Sequence, residues 1–142
     1  ELDYTGNRSA PALTMRDLVG DSEEVLGFSD RQDLVVDAGF DNYVRTRWDE
    51  LDGGEPLVFP FQVVGVGRPL DMRAQEGGEI DCNEQSLCVT VEVDSWLIGL
   101  LADPIELAYS RDTRRLLRFV GLSNLQIDGR APKVDIRFTY SE

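Results

Sequence analysis

Apolar and polar residues alternate along several segments of the chain, which predicts β-strands with one buried face. The alternation is clearest at residues 87–94 (LCVTVEVD) and 133–140 (KVDIRFTY), and residues 57–63 and 105–110 follow it as well. Pro60 lacks the N–H that a sheet ladder uses, so it predicts an edge strand or a bulge. Weaker strand candidates are residues 12–17, 23–28, 33–37, 70–75 and 115–121.

The connections between these strands are short and rich in turn-forming residues. They include SRDTR at residues 110–114, DGRAPK at 128–133 and GEIDCNEQS at 78–86. Links of this length join antiparallel neighbours, because a parallel crossover needs about a dozen residues or more. The pattern therefore predicts an antiparallel meander.

One segment, GFDNYVRTRWDELDGG at residues 39–54, has the period of an amphipathic helix. Asp41 is placed to cap its start, and Gly53-Gly54 supplies a left-handed exit. Arg45 is spaced for i, i+4 pairs with Asp41 and with Asp49. A single apolar stripe runs along the helix and predicts a face that packs on the sheet: Phe40, Tyr43, Val44, Trp48 and Leu51.

A second helix is predicted at residues 94–101 (DSWLIGLL), after an Asp or Ser cap and before Asp103-Pro104. Its apolar side chains, Trp96 among them, are interpreted either as core or as a mobile cover over a ligand cavity.

Together these elements predict an α+β fold. We expect one curved antiparallel sheet, a half-barrel of about seven to nine strands, with two short helices on its concave face. The 142 residues have the length of a single domain, with residues 1–11 loosely ordered.

The composition of the chain argues against several classes of function. The net charge of −13 argues against nucleic-acid binding, which needs clustered cations. The chain has no His, which excludes catalytic triads and His metal ligands, and we expect neither an enzyme nor a cofactor. Paired carboxylates are the one catalytic alternative left, with no residues to nominate.

No apolar run has the length of a membrane-spanning helix.

The two cysteines, Cys82 and Cys88, are separated by five residues. A zinc site lacks the further ligands it would need, so a disulfide is favoured over two free thiols. A disulfide implies an oxidising compartment and hence a periplasmic or otherwise extracytoplasmic location.

A basic cluster, RDTRRLLR at residues 111–118, stands out in an acidic chain. Its arginines either balance neighbouring carboxylates around a hairpin turn or form a contact site for an anionic group. The four arginines concerned are Arg111, Arg114, Arg115 and Arg118.

The runs GFDNYVRTRWDELDGGEPLVFPF (residues 39–61) and DPIELAYSRDTRRLLRFVGLSNL (103–125), with the closing VDIRFTY, resemble segments of uncharacterised bacterial envelope proteins. The resemblance implies a curved antiparallel half-barrel, related in shape to periplasmic lipoprotein carriers that hold apolar ligands between sheet and helices. It carries over no catalytic residue, because that family has no assigned activity. The chain departs from the pattern at residues 64–73 and in the Cys82/Cys88 loop.

Two non-catalytic functions follow as hypotheses. In the first, the sheet and the helices hold a hydrophobic or lipidic ligand or an envelope protein partner, because only two helices are present to cover the apolar face of the sheet. The residues expected to contact this ligand are Tyr43, Trp48, Phe59, Phe61 and Trp96. In the second, the chain is a structural or interaction module whose aromatics fill the same space completely.

Overall fold

The computed structural model of the chain describes residues 2–7, 10–17, 21–27, 34–36, 39–62, 68–95, 103–122 and 132–141. Its main unit is a curled, seven-stranded half-barrel sheet with two short helices, so the predicted α+β fold class is confirmed. A three-stranded antiparallel sheet of β1 (Leu2–Asn7), β2 (Ala10–Asp17) and β3 (Ser22–Gly27) accompanies it. The sequence pattern gave no sign that the strands divide into two sheets.

The half-barrel has the strand order β10-β9-β8-β7-β6-β5-β4. Its strands are β4 (Val35–Val36), β5 (Leu57–Gln62), β6 (Leu70–Glu76), β7 (Ser86–Val93), β8 (Ile105–Ser110), β9 (Leu116–Leu122) and β10 (Lys133–Arg137). From β5 to β10 each strand pairs antiparallel with the next. The pairing of β4 with β5 is parallel, which differs from the predicted all-antiparallel sheet. The twenty residues that separate β4 from β5 contain both helices, and this length permits a crossover.

The predicted single helix is interrupted and forms α1 (Gly39–Thr46) and α2 (Trp48–Asp52). Thr46 precedes the break, and its hydroxyl donates to the carbonyl of Tyr43 at 2.8 Å. Such back-bonding from a hydroxyl bends helices. Arg47 then lies at φ −109° and ψ 25°, outside the helical region. The second predicted helix, at residues 94–101, lies outside the described residues beyond Ser95.

The core lies between the helix pair and one face of the half-barrel. Val44, Trp48 and Leu51 are buried on the helices, as the apolar stripe predicted. They pack against sheet residues that alternate along their strands, among them Leu57, Phe59, Met72, Ala74, Leu87, Val89, Val91, Leu107 and Tyr109. Burial of each large aliphatic side chain contributes roughly 1.5–3 kcal/mol, so this face supplies much of the folding free energy.

The opposite face of the sheet is covered in its middle by the β6–β7 connection. Thr90 donates to the carbonyl of Gly77 at 3.0 Å, and the backbone N–H of Glu79 donates to the Glu106 carboxylate. Gly78 lies at φ +141°, and a Cβ there would stand 3.1 Å from the side chains of Thr90 and Glu106. Only glycine fits so close an approach without displacing a neighbour.

The predicted disulfide is present and holds this connection to the sheet. Cys82 and Cys88 are bonded, with their Cα atoms 6.1 Å apart. Cys88 lies on β7 and is buried beside its cross-strand partner Ala108. The bridge is consistent with folding in an oxidising compartment.

Candidate ligand-binding end of the half-barrel

An aromatic cluster joins α1 to β5. The ring of Phe59 lies 4.7 Å from that of Tyr43 and 5.5 Å from that of Phe40, measured between centroids. Phe61 meets Phe40 edge to face at 6.5 Å and Phe59 at 6.4 Å. These separations are typical of favourable aromatic pairs. Phe59 is buried, whereas Phe40, Tyr43 and Phe61 keep part of their surface exposed.

Three of the five residues predicted to contact a ligand therefore lie together: Tyr43, Phe59 and Phe61. Trp48 is buried in the core, and its ring meets that of Tyr109 edge to face at 6.0 Å. Trp96 lies outside the described residues. Phe40 joins the cluster, although the sequence predicted only a core role for it.

The aromatic cluster continues into a row of half-buried aliphatic side chains across the sheet. Phe61 is the cross-strand partner of Leu70, while Val93 opposes Met72 and Ile105 opposes Val91. All lie at the end of the sheet where β5 and β7 finish and β6 and β8 begin. We call Phe40, Phe61, Leu70, Val93 and Ile105 the apolar rim. The rim borders the core, and each of its members is partly open to solvent.

The opposite end of the half-barrel is polar and cross-linked by the arginine turn, residues 111–115. Arg111 pairs with Asp52 of α2 and with Glu76 of β6, the latter at 2.9 Å. Its Nε also donates to the carbonyl of Ser86 at 3.2 Å. The turn thereby joins α2, β6 and β7 at one point.

Arg114 and Arg115 each lie over an aromatic ring. The guanidinium of Arg114 is 5.3 Å from the ring centroid of Trp48 and donates to Asp49 at 3.2 Å. The guanidinium of Arg115 is 5.0 Å from the ring centroid of Tyr140. Both are cation–π geometries, worth roughly 0.5–1 kcal/mol at exposed sites.

Arg118 makes a forked pair with Asp135 of β10, with donor–acceptor distances of 2.9 and 2.8 Å. These hydrogen bonds lower the pKa of Asp135 and raise that of Arg118, because each charge stabilises the other. Arg111, Arg114 and Arg118 thus have carboxylate partners within the chain. This arrangement agrees with the interpretation of the basic cluster as a charge-balanced turn.

Tyr109 carries a polar atom that the sequence pattern did not single out. Its side chain is fully buried on β8, and its hydroxyl has no hydrogen-bond partner among the described residues. Burial raises the pKa of this phenol, because the charged form would lose its hydration. No signal in the sequence marks this residue, because Tyr109 is one of three residues that share the apolar face of its strand, with Ile105 and Leu107.

Within the described ranges, no group of three or more His, Cys, Asp or Glu side chains is arranged to hold a metal ion. No helix in those ranges has the length and hydropathy to cross a membrane. Comparison of the chain with protein-family models, curated proteins and solved structures finds no match.

Proposed function

We propose that the protein is a non-catalytic periplasmic or otherwise extracytoplasmic binding protein that takes a hydrophobic or lipidic ligand at the apolar rim, between α1 and the half-barrel. The observation that carries the proposal is the rim itself. Five apolar side chains from one helix and four strands meet at one end of the core and remain partly exposed. Ligand sites in proteins are typically lined by apolar side chains, with few polar groups.

Two further observations support the proposal. The polar end of the half-barrel is cross-linked by the ion pairs of Arg111. The five side chains of the rim, by contrast, are all apolar. The disulfide between Cys82 and Cys88 favours an oxidising compartment, and the periplasm is the one we propose.

A second candidate, a structural or interaction module without a small-molecule ligand, is favoured by the packing under α2. Val44, Leu51 and Tyr109 are fully buried and Trp48 nearly so, and they fill the middle of the space between helices and sheet. In this alternative the rim is simply the border of a filled core.

Titration with cis-parinaric acid, a fluorescent fatty acid, tests the first candidate. We expect saturable enhancement of its emission, and a Kd raised about tenfold in Leu70→Asn, which loses roughly 1.5 kcal/mol of apolar contact. Val58→Asn is the matched control, because Val58 lies on the other face of the neighbouring strand and is 51% exposed. The control should bind the probe as the unaltered chain does.

Native mass spectrometry of the protein isolated from envelope extract provides an independent readout. A co-purifying lipid that is depleted in Leu70→Asn supports the ligand-binding function. Absence of probe binding and of any co-purifying lipid would reject it in favour of the packed module.

A further inference from the structure

The strand β10 forms one edge of the half-barrel and exposes apolar side chains. It pairs with β9, from Lys133 opposite Leu122 to Arg137 opposite Arg118, and ends the strand order. Ile136 on the core face of this strand is 43% exposed. Farther along, Phe138 is 38% and Tyr140 47% exposed. The main helix contacts with the sheet lie elsewhere, because α1 packs on β4, and α2 packs on β6 and, through Trp48, on β8.

The hydrogen bonds between β10 and β9 show which backbone groups of β10 point away from β9. The N–H of Phe138 donates to the carbonyl of Leu117 on β9 at 2.9 Å. In an antiparallel ladder, alternate residues bond to the same neighbour. Ile136 therefore directs its backbone toward β9, whereas Asp135 and Arg137 direct their N–H and C=O groups to the side of β10 on which no described strand lies.

The charges on β10 select one register for pairing with a second copy of the same strand. If a two-fold axis passes beside Ile136, Asp135 of each copy lies opposite Arg137 of the other. The residues that are opposed in this way are those with outward-facing backbone groups, so they can form hydrogen-bonded pairs. Centring the axis on Asp135 would place like charges opposite each other, which is destabilising.

The same register also pairs the apolar side chains. On the core face, Ile136 meets its own counterpart, and Val134 lies opposite Phe138. Asp135 already accepts from Arg118, and each carboxylate oxygen can accept a second hydrogen bond. Arg137 has no ion-pair partner among the described residues, so its guanidinium is available to the second copy.

We propose that β10 is a self-association edge, through which two copies of the chain join antiparallel about Ile136 into one continuous sheet. Strand addition of this kind uses main-chain hydrogen bonds for affinity and alternate side chains for specificity. The occupant of the edge is a second copy because the Asp135/Arg137 pattern is complementary to itself.

Disulfide trapping tests the register. Residues at a non-hydrogen-bonded antiparallel position have Cα atoms about 4.5 Å apart, which a disulfide can bridge. Ile136→Cys should therefore form a covalent dimer under mild oxidation, with peptide mapping placing the bridge between the two introduced thiols. Leu122→Cys is the matched control, because Leu122 is 47% exposed on the adjacent strand but away from the edge.

Light scattering coupled to gel filtration tests association without cross-linking. We expect the mass to rise with concentration from 15.9 kDa toward twice that value. Arg137→Asp places carboxylates opposite Asp135 and should weaken the dimer about tenfold, whereas Arg137→Lys should retain it. A mass of one chain at all concentrations, or equal trapping of Ile136→Cys and Leu122→Cys, would overturn the proposal. So would association that is unchanged in Arg137→Asp.

Discussion

Arg114 lies over the ring of Trp48, with its guanidinium carbon 5.3 Å from the ring centroid, although the two residues are far apart in sequence. Trp48 is in turn packed on Tyr109, and Arg114 also pairs with Asp49 next to the tryptophan. The arginine turn therefore fastens α2 to the sheet. Trp48 and Arg114, which the sequence predicted as contacts for two different ligands, therefore pack against each other.

Removal of the Arg114 side chain should weaken the attachment of α2 to the sheet and so destabilise the protein. Arg114→Ala loses the contact with Trp48 and the exposed pair with Asp49, and we expect the free energy of unfolding to fall by about 1 kcal/mol. Urea denaturation followed by Trp fluorescence measures it. Arg68→Ala, which removes an exposed arginine elsewhere, is the control and should leave the midpoint unchanged.

The backbone at Arg114 offers a second comparison. Its φ of +54° is one that residues with a Cβ adopt at a cost of roughly 1 kcal/mol. Arg114→Gly loses the same side-chain contacts but relieves this cost, so it should unfold at a higher urea concentration than Arg114→Ala. Equal midpoints for the two variants would contradict the left-handed conformation of the turn.

Tyr109→Phe should stabilise the protein. The substitution removes a buried hydroxyl that has no partner among the described residues and keeps the ring under Trp48. Since an unsatisfied buried polar group costs about 1–3 kcal/mol, we expect a gain within that range. Leu107→Ala, a cavity-forming change on the same strand, should instead destabilise and shows that the strand is sensitive to substitution.

The same phenol predicts an alkaline loss of stability. Burial raises the pKa of Tyr109 above its ordinary value of 10.0, so the native state keeps a proton that the unfolded chain releases. The free energy of unfolding is therefore unaffected by this group below pH 10 and falls as the pH rises above that value. The free energy of unfolding of Tyr109→Phe should therefore decline less steeply above pH 10 than that of the unaltered chain.

The pair of Arg118 and Asp135 predicts a loss of stability in acid. The hydrogen bond from Arg118 lowers the pKa of Asp135 below its ordinary value of 3.8. Stability from the pair is thus present above pH 3.8 and is lost as the pH falls through the lower, native-state pKa. Asp135→Asn should unfold more readily than the unaltered chain near neutral pH, and the difference should shrink below pH 3.8. A difference that stays constant with pH would exclude this linkage.

Reduction of the disulfide should loosen the β6–β7 connection. Opening so short a loop removes a constraint on the unfolded chain worth about 2 kcal/mol. Addition of a thiol reductant should lower the midpoint of unfolding, and amide exchange at Gly77 and Glu79 should accelerate. In Cys82→Ala/Cys88→Ala, the midpoint should be low already and should not respond to the reductant.

The spacing of apolar residues predicted most strands and the buried face of the helix, because an element that buries one face repeats its apolar residues at the period of a strand or of a helix. Trp48 and Leu51 are buried as that period requires. The break at Arg47 was not predicted, because the apolar stripe continues across it and does not reveal the local change in the dihedral angles of Arg47. Residues 33–37 were among the weaker strand candidates, but the parallel pairing of β4 was missed, because alternation within a strand does not indicate the direction of its neighbour.

Long-range partners were the least predictable part of the candidate site. Spacing predicted that Arg45 would pair with Asp41 and with Asp49, and the first pair is present. Asp49 instead accepts from Arg114, and Arg47 pairs with Glu50. The rim aliphatics lie together through strand register, and Phe40 joins them through the packing of α1 on β5. Alternation alone determines neither.

The two ends of the half-barrel differ in how strongly they are cross-linked. The disulfide, the arginine turn and the exit of α2 all lie at the polar end, whereas the connections β5–β6, β7–β8 and β9–β10 leave the sheet at the rim end. Substitutions or insertions near the rim therefore leave these cross-links intact. Under the proposed binding function, such a scaffold can change its ligand specificity over evolution while its folding determinants remain unchanged, and the same separation makes the rim end the natural place for engineering.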